Sequence, residues 1–225
     1  MTIILSIETA TTNCSVSLSK NGETLHLKED FNNDFSHAER LHFLIEEVLK
    51  EAKIKKEELS AIAVSKGPGS YTGLRIGVSA AKGLCFALDI PLISISTLES
   101  LAHQVNTNEG IIVPMIDARR MEVYSAILTS NFEVLRAVEA QELDATSFSA
   151  ELAKGKVHFV GNGVEKTKAI IDNSNAVFVE GKLPSANEMS ALAYAKYKKS
   201  DTEDVAYFEP YYLKDFVALK PKPKK

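Results

Sequence analysis

Cysteine is scarce in this chain. Cys14 and Cys85 are the only two in 225 residues. They are too few for a disulfide framework and lack the paired spacing of a metal site, so both read as buried thiols. No apolar run reaches the roughly 20 residues that span a bilayer. The N-terminus, MTIILSIETA, carries no basic segment ahead of a long apolar one, so no secretory leader is expected and the cytoplasm is the expected location. An excess of positive charge is also missing. Twenty-six Lys and Arg stand against 30 Asp and Glu, for a net charge of −4 and a pI near 5.8. That balance argues against an extensive nucleic-acid surface, because phosphate contacts need clustered cations. With 45% hydrophobic and 25% charged residues, the rest is ordinary globular composition, long enough for a substantial core in one large domain or two small ones.

The stretch Ser65–Leu88, SKGPGSYTGLRIGVSAAKGLCFAL, organises what is present. Gly67-Pro68-Gly69 interrupts regular structure, since Pro68 fixes its own φ and restricts the residue before it. Ser70 and Thr72 are candidate caps, and Gly73 to Leu88 reads as one helix. Gly73, Gly77 and Ala81 recur at i, i+4 and i+8, with Ala80, Gly83 and Ala87 on neighbouring rows. A glycine inside a helix costs about 0.5–1 kcal/mol relative to alanine, so Gly77 and Gly83 imply that another backbone comes very close. The opening loop has two readings, an anion site at a helix N-terminus or a tight strand-to-helix turn made for packing. It is not a Walker loop, which needs G-x-x-x-x-G-K-[ST], nor the dinucleotide fingerprint.

Elsewhere, Thr2 to Leu18 reads as a hairpin with a polar turn from Glu8 to Asn13. Asn21-Gly22 then returns the chain as a third strand over Glu23–Lys28. The acidic and hydroxyl residues at the first turn suit a nucleotide phosphate, and equally suit an ordinary turn. Ser36-His37-Ala38-Glu39 has the capping-box pattern ahead of an amphipathic helix to about Ala52. His37 and His42 are five apart, about 140° around a helix, so they do not share a face as metal ligands would. Ala61–Ser65 and Pro91–Ser96 flank the focal helix in a βαβ unit and should be parallel. Helix follows from Thr97, its expected N-cap, to Gln104.

The second half repeats this grammar. Strands are expected over Ile111–Ile116, Glu122–Leu128, Val134–Val138 and Val157–Val160, with helices over Ser147–Leu152, Val164–Asp172 and Glu188–Lys198. Asp117 falls where Glu8 falls in the first half. Gly161-Asn162-Gly163 is either a second phosphate loop or a plain turn. Two halves of meander followed by βα units indicate a duplicated α/β fold. The Lys- and Pro-rich end, KPKPKK, is most simply a solvated basic tail, with RNA contact left open.

Six segments, ILSIETATTNCSVSL, SHAERL, KGPGSYTGLRIGVSAAKGLCFAL, PLISISTLESLA, IDARRMEVY and EPYYLKDFVALK, occur in an order that resembles the bacterial TsaB (YeaZ) family. The resemblance spans nearly the whole chain. It implies an α/β, two-lobed, duplicated actin-like/Hsp70-like ATPase (ASKHA) fold, with lobes at about 1–100 and 101–225 and the last helix or tail packing back on the first. It further implies a non-catalytic scaffold that pairs with TsaD, and through that complex with TsaE. The complex moves a threonylcarbamoyl group from its adenylate to the adenosine 3′ of the anticodon in tRNAs reading codons that begin with A.

On that resemblance no residue here is catalytic, no metal is held, and ATP and metal belong to the TsaD partner. TsaD holds its metal with a His pair at i, i+4 plus an Asp, which His37 and His42 do not reproduce. The expected partner surface, for TsaD or for a second copy, is Gly69, Ser70, Tyr71, Thr72, Gly73, Arg75, Gly77, Ala80, Ala81 and Leu84. On that expectation a bulky side chain at Gly77 or Ala81 breaks the pairing. Glu8, Thr9, Asp117, Gly161 and Gly163 form a vestigial nucleotide cleft. Alternative functions on the same fold are a glycoprotease-like peptidase, with Ser70 or Ser79 as nucleophile, and a weak small-molecule kinase using Glu8 and Asp117.

Overall fold

The computed structural model describes residues 1–31 and 37–214. It opens with a meander of β1 (Ile3–Glu8), β2 (Cys14–Lys20) and β3 (Glu23–Asp30), antiparallel throughout. Asn21 and Gly22 both take positive φ, 52° and 91°, the combination that a two-residue hairpin turn matched to strand twist requires. Helix α1 (His37–Ala52), strand β4 (Ala61–Gly67), helix α2 (Tyr71–Leu88) and strand β5 (Leu92–Ser96) follow. β4 adds in parallel to β1 and β5 in parallel to β4. β1 is buried along its whole length, which is why Ile3, Ile4, Leu5 and Ile7 read as a continuous apolar run. The capping box proposed at Ser36 lies outside the described residues, as does the KPKPKK tail.

After α3 (Thr97–Ala102) the pattern repeats with β6 (Ile111–Asp117), β7 (Glu122–Thr129), β8 (Val134–Glu142), α4 (Ser149–Leu152), β9 (Val157–Val160), α5 (Val164–Lys168) and β10 (Ala176–Val179), then α6 (Ala186–Lys198). The first sheet runs β3-β2-β1-β4-β5 and the second β10-β9-β6-β7-β8. Matching the strands in chain order, the two are the same arrangement, so the duplication is visible in topology. The helices that end each repeat change sides. Leu98, Leu101 and Ala102 of α3 pack with Ile112, Ile116 and Ala126 of the second sheet. Ala186, Met189 and Ala193 of α6 pack with Ile4, Ala63, Ile93 and Ile95 of the first. A boundary at residue 100 therefore falls inside α3.

Three local expectations change. Ser96, not Thr97, caps α3, its Oγ accepting from Glu99 N at 3.4 Å. Thr97 is fully buried and its Oγ1 lies 2.6 Å from Ser65 Oγ, so its hydroxyl is engaged sideways. α5 stops at Lys168, short of Asp172. β10, four half-buried residues, completes the second sheet at a place where neither alternation nor length marks a strand.

The approach of α2 to the first sheet is set by glycines. A Cβ on Gly77 would lie 2.3 Å from Thr9 Oγ1, and one on Gly73 2.1 Å from Thr9 O, whereas one on Gly83 would meet nothing within 4 Å. Gly77→Ala is therefore expected to destabilise the fold by about 1–3 kcal/mol through overpacking. Gly83→Ala should stabilise it by about 0.5–1 kcal/mol through helix propensity. Urea denaturation of the two variants against the parent checks this opposition of sign.

Candidate functional site

The β1–β2 turn is the inner wall of the site. Glu8, Thr9 and Asn13 are fully buried. Glu8 Oε1 accepts from Ala10 N at 2.6 Å, while Oε2 has no hydrogen-bond partner. Thr9 Oγ1 donates to Gly73 O at 2.8 Å, and Ala10 O accepts from Ser70 N at 2.7 Å. The turn thus grips the first two turns of α2. Ser70 caps that helix, its Oγ accepting from Gly73 N at 3.2 Å. Gly69 belongs to the same contact, since a Cβ there would sit 2.5 Å from Ala10 O.

These contacts re-sort the expected partner surface. Gly73, Gly77 and Ala81 are buried against this chain, so the close approach that their smallness implies is made by Thr9 and the first-lobe core, not by a second protein. Gly69 and Ser70 are likewise occupied by the β1–β2 turn. Tyr71, Thr72, Arg75, Ala80 and Leu84 lie elsewhere. With Ile76, Ser79 and Gly83 of α2, and Ala38 and His42 of α1, they line an open groove of about 700 Å³. Arg75 lies over the Tyr71 ring at 5.4 Å and donates to its hydroxyl at 3.1 Å. The Tyr71 ring in turn stands 4.9 Å from that of Tyr212. Phe86, on the same side of α2, is 84% exposed.

Ile76, Ser79 and Gly83 line the groove but stand outside the expected partner surface, because small size alone does not tell which side of the helix is inward. The signal was present. Leu74, Val78, Ala81 and Cys85, all buried, follow 4-3-4 spacing and define the core side. The groove residues occupy the complementary phase.

The residues expected to hold a nucleotide are used internally. Gly161 takes φ +114°, and a Cβ there would lie 2.1 Å from Met115 O, while one on Gly163 would lie 2.9 Å from Val123 Cγ1. Both glycines bring the β9–α5 turn down onto β6 and β7. Asp117, at the end of β6 as Glu8 is at the end of β1, is exposed and ion-paired with Lys166 Nζ at 2.6 Å. Its Oδ1 also accepts from Arg119 N at 2.6 Å, and its own N–H donates to Asn162 Oδ1 at 2.8 Å. His37 is buried with Nε2 donating to Thr11 O at 2.7 Å, whereas His42 lies in the groove. Among the described residues no group of three or more His, Cys, Asp or Glu is placed to hold a metal. No described helix is long and apolar enough to cross a membrane.

A doubled five-stranded α/β sheet with crossed terminal helices, carrying a glycine-gripped helix and an open groove on its first lobe, defines the class: the actin-like/Hsp70-like fold in a TsaD-related form. A family model described as tRNA N6-adenosine threonylcarbamoyltransferase, TsaD, matches residues 34–222. The tRNA threonylcarbamoyladenosine biosynthesis protein TsaB of Escherichia coli is 30% identical over 99% of both chains. That of Bacillus subtilis is 33% identical over 80% of both. A crystal structure of a Pseudomonas aeruginosa protein, described as similar to peptidase YEAZ, superposes with a TM-score of 0.82 at 25% identity, covering 95% of this chain and 100% of that one. The chain belongs to the TsaB family.

Burial pushes the Glu8 carboxyl from 4.5 up to about 7, against the opposing pull of the Ala10 amide, the Ser65 hydroxyl and the Thr9 amide. Between about pH 4.5 and 7 the folded protein therefore holds this proton more tightly than the unfolded chain does. Stability that is fully present below that window is lost as pH rises through it, at no more than about 1.4 kcal/mol per pH unit. Glu8→Gln removes the titration. The variant is expected to be more stable than the parent at pH 8 and equal to it near pH 4.5, as read from denaturant midpoints across that range.

Proposed function

We propose that this protein acts in tRNA threonylcarbamoyladenosine biosynthesis as a non-catalytic subunit, docking a TsaD homologue, or a second copy of itself, in the groove between α1 and α2. TsaE and tRNA are engaged through that complex. The observation that carries this reading is the groove itself, about 700 Å³ of open surface lined by Ile76, Ala80, Gly83 and Leu84 with Tyr71 and Arg75 at one end. Small side chains and a bare helical backbone let a partner helix approach closely, and tyrosine and arginine are favoured anchors at protein interfaces.

The chemistry-bearing positions support a scaffold over an enzyme. Glu8 is sealed from solvent, Asp117 is tied to Lys166, and Ser70 is spent on the helix cap. Ser79 and His42 share the groove, but among the described residues no carboxylate lines it to orient such a pair. The kinase and peptidase readings gain no further support from these positions.

The re-sorted surface changes the decisive substitution. Gly77→Leu tests folding, because its side chain meets Thr9. Gly83→Leu tests docking, because its side chain enters open space. In a reconstituted system with TsaD and TsaE homologues, omission of this chain is expected to abolish tRNA modification. Gly83→Leu should weaken co-purification with the TsaD homologue at least about tenfold, a loss of about 1.4 kcal/mol, with a melting temperature no lower than the parent's. Asp117→Asn should leave the modification rate within about twofold. Full pairing by Gly83→Leu would sink the groove, and a hundredfold rate loss in a folded Asp117→Asn would sink the scaffold reading.

A further inference from the structure

After α6 the chain returns along the first lobe without further helix or strand, through a turn at Val205–Tyr207. Glu203 N donates to Leu92 O at 2.8 Å, an isolated antiparallel bridge on the outer edge of β5, and Glu203 Oε1 accepts from Ser94 Oγ at 2.5 Å. Val205 and Phe208 pack against the first-lobe core. Lys82 Nζ, on α2, donates to Ala206 O and Phe208 O at 3.1 and 2.9 Å. Tyr211 N then donates to Lys66 O at 2.7 Å. Beside that bond Gly67 is bare, since a Cβ there would come within 2.8 Å of Tyr211 O. One step on, Tyr212 meets Tyr71. The segment finally leaves the first lobe, and Lys214 Nζ pairs with Glu122 Oε2 at the start of β7 in the second.

We propose that residues 203–214 are a latch between the lobes, fixed along the first lobe and closed on the second by the Lys214–Glu122 ion pair. The two ends differ in kind. On the first lobe the segment is held by main-chain bonds, the Lys82 ammonium and two partly buried apolar side chains, Val205 and Phe208. On the second, the closing contact among the described residues is one ion pair, its lysine side chain 46% and its glutamate 19% exposed, and a pair with one solvent-exposed partner is screened by salt. The second-lobe end is therefore the one that opens.

The chain has already passed between lobes twice, through α3 and α6, each packed against the other repeat's sheet. The latch is a third tie, joining the end of β4, beside the turn that grips α2, to the β6–β7 turn. There Lys166 Nζ holds Asp117 Oδ1, Arg120 O and Glu122 O together. An opening motion about the α3 and α6 crossings has to break this tie first. Tyr212 contacts Tyr71, which also lines the α1/α2 groove, so the latch is within reach of whatever docks there. That consequence rests on the docking reading, whereas the latch itself does not.

Spin labels on cysteines placed at Lys50 of α1 and Glu133 before β8, both exposed positions, report the lobe-to-lobe distance in the full chain. Cys14 and Cys85 are buried and stay unlabelled. The parent is expected to give one narrow distance distribution. Lys214→Glu should broaden it about twofold as open and closed populations coexist, and so should about 1 M salt, where the Debye length falls to about 3 Å. Combining Lys214→Glu with Glu122→Lys should restore the narrow distribution. An unchanged distribution in Lys214→Glu, or a charge swap that fails to restore it while the melting temperature matches the parent, overturns the latch. Because no partner is added, this experiment can fail without touching the docking groove, and the Gly83→Leu pairing assay can fail without touching the latch.

Discussion

How closely α2 lies on the first sheet is decided by one turn. Thr9 O and Oγ1 occupy the space where side chains on Gly73 and Gly77 would be, and Thr9 Oγ1 donates to the Gly73 carbonyl from within that gap. The helix consequently presents Leu74, Val78, Ala81 and Cys85 inward. Its opposite face is then fixed by helical geometry, and so are the residues available to the groove. The same turn carries Glu8, whose sealed carboxyl is an electrostatic cost borne where the helix is gripped. Rigid placement of α2 and a carboxyl with a raised pKa are two results of one close contact.

The duplication supplies an internal control on what that contact does. Both lobes have the same strand order, and both end their first strand in an acidic residue. In the first lobe the helices after the third and fourth strands have 16 and 18 residues. In the second they have 4 and 5. Long helices side by side create a groove with a continuous outer surface, and short ones cannot. Glu8 and Asp117 have diverged to match. One is buried beneath a long helix, the other lies exposed in an ion pair with a lysine from a short one. The sheets preserve the common architecture, while the helices and turns carry the difference between the lobes.

Much of this could be read from residues in order. Asn21-Gly22 announces its hairpin because few residues accept two consecutive positive φ angles, and the buried strands announce themselves by unbroken apolar runs. The expected duplication rested on such local signals. What escaped depended on distant partners. The Thr9 side chain that explains Gly77 is 68 positions away, so the local pattern shows that some backbone must come close without saying whose. The choice between Ser96 and Thr97 as cap is likewise settled by Ser65, which occupies the Thr97 hydroxyl. β10 is short, half-buried and devoid of alternation, and only pairing with β9 makes it a strand.

Gly77 and Gly83 look alike in the sequence and are opposites in the fold. Each forgoes the helix-stabilising effect of a methyl group, worth about 0.5–1 kcal/mol. At Gly77 the loss is accounted for within the chain, because a methyl group would collide with Thr9. At Gly83 nothing lies within 4 Å to account for it. A helix that keeps a bare backbone position facing open space, between the groove-lining Ala80 and Leu84 and three residues from an exposed Phe86, remains destabilised as an isolated molecule. The compensation is supplied if another backbone closes over that position. The glycine without an internal reason, not the one with the tightest contact, therefore supports the proposed docking surface.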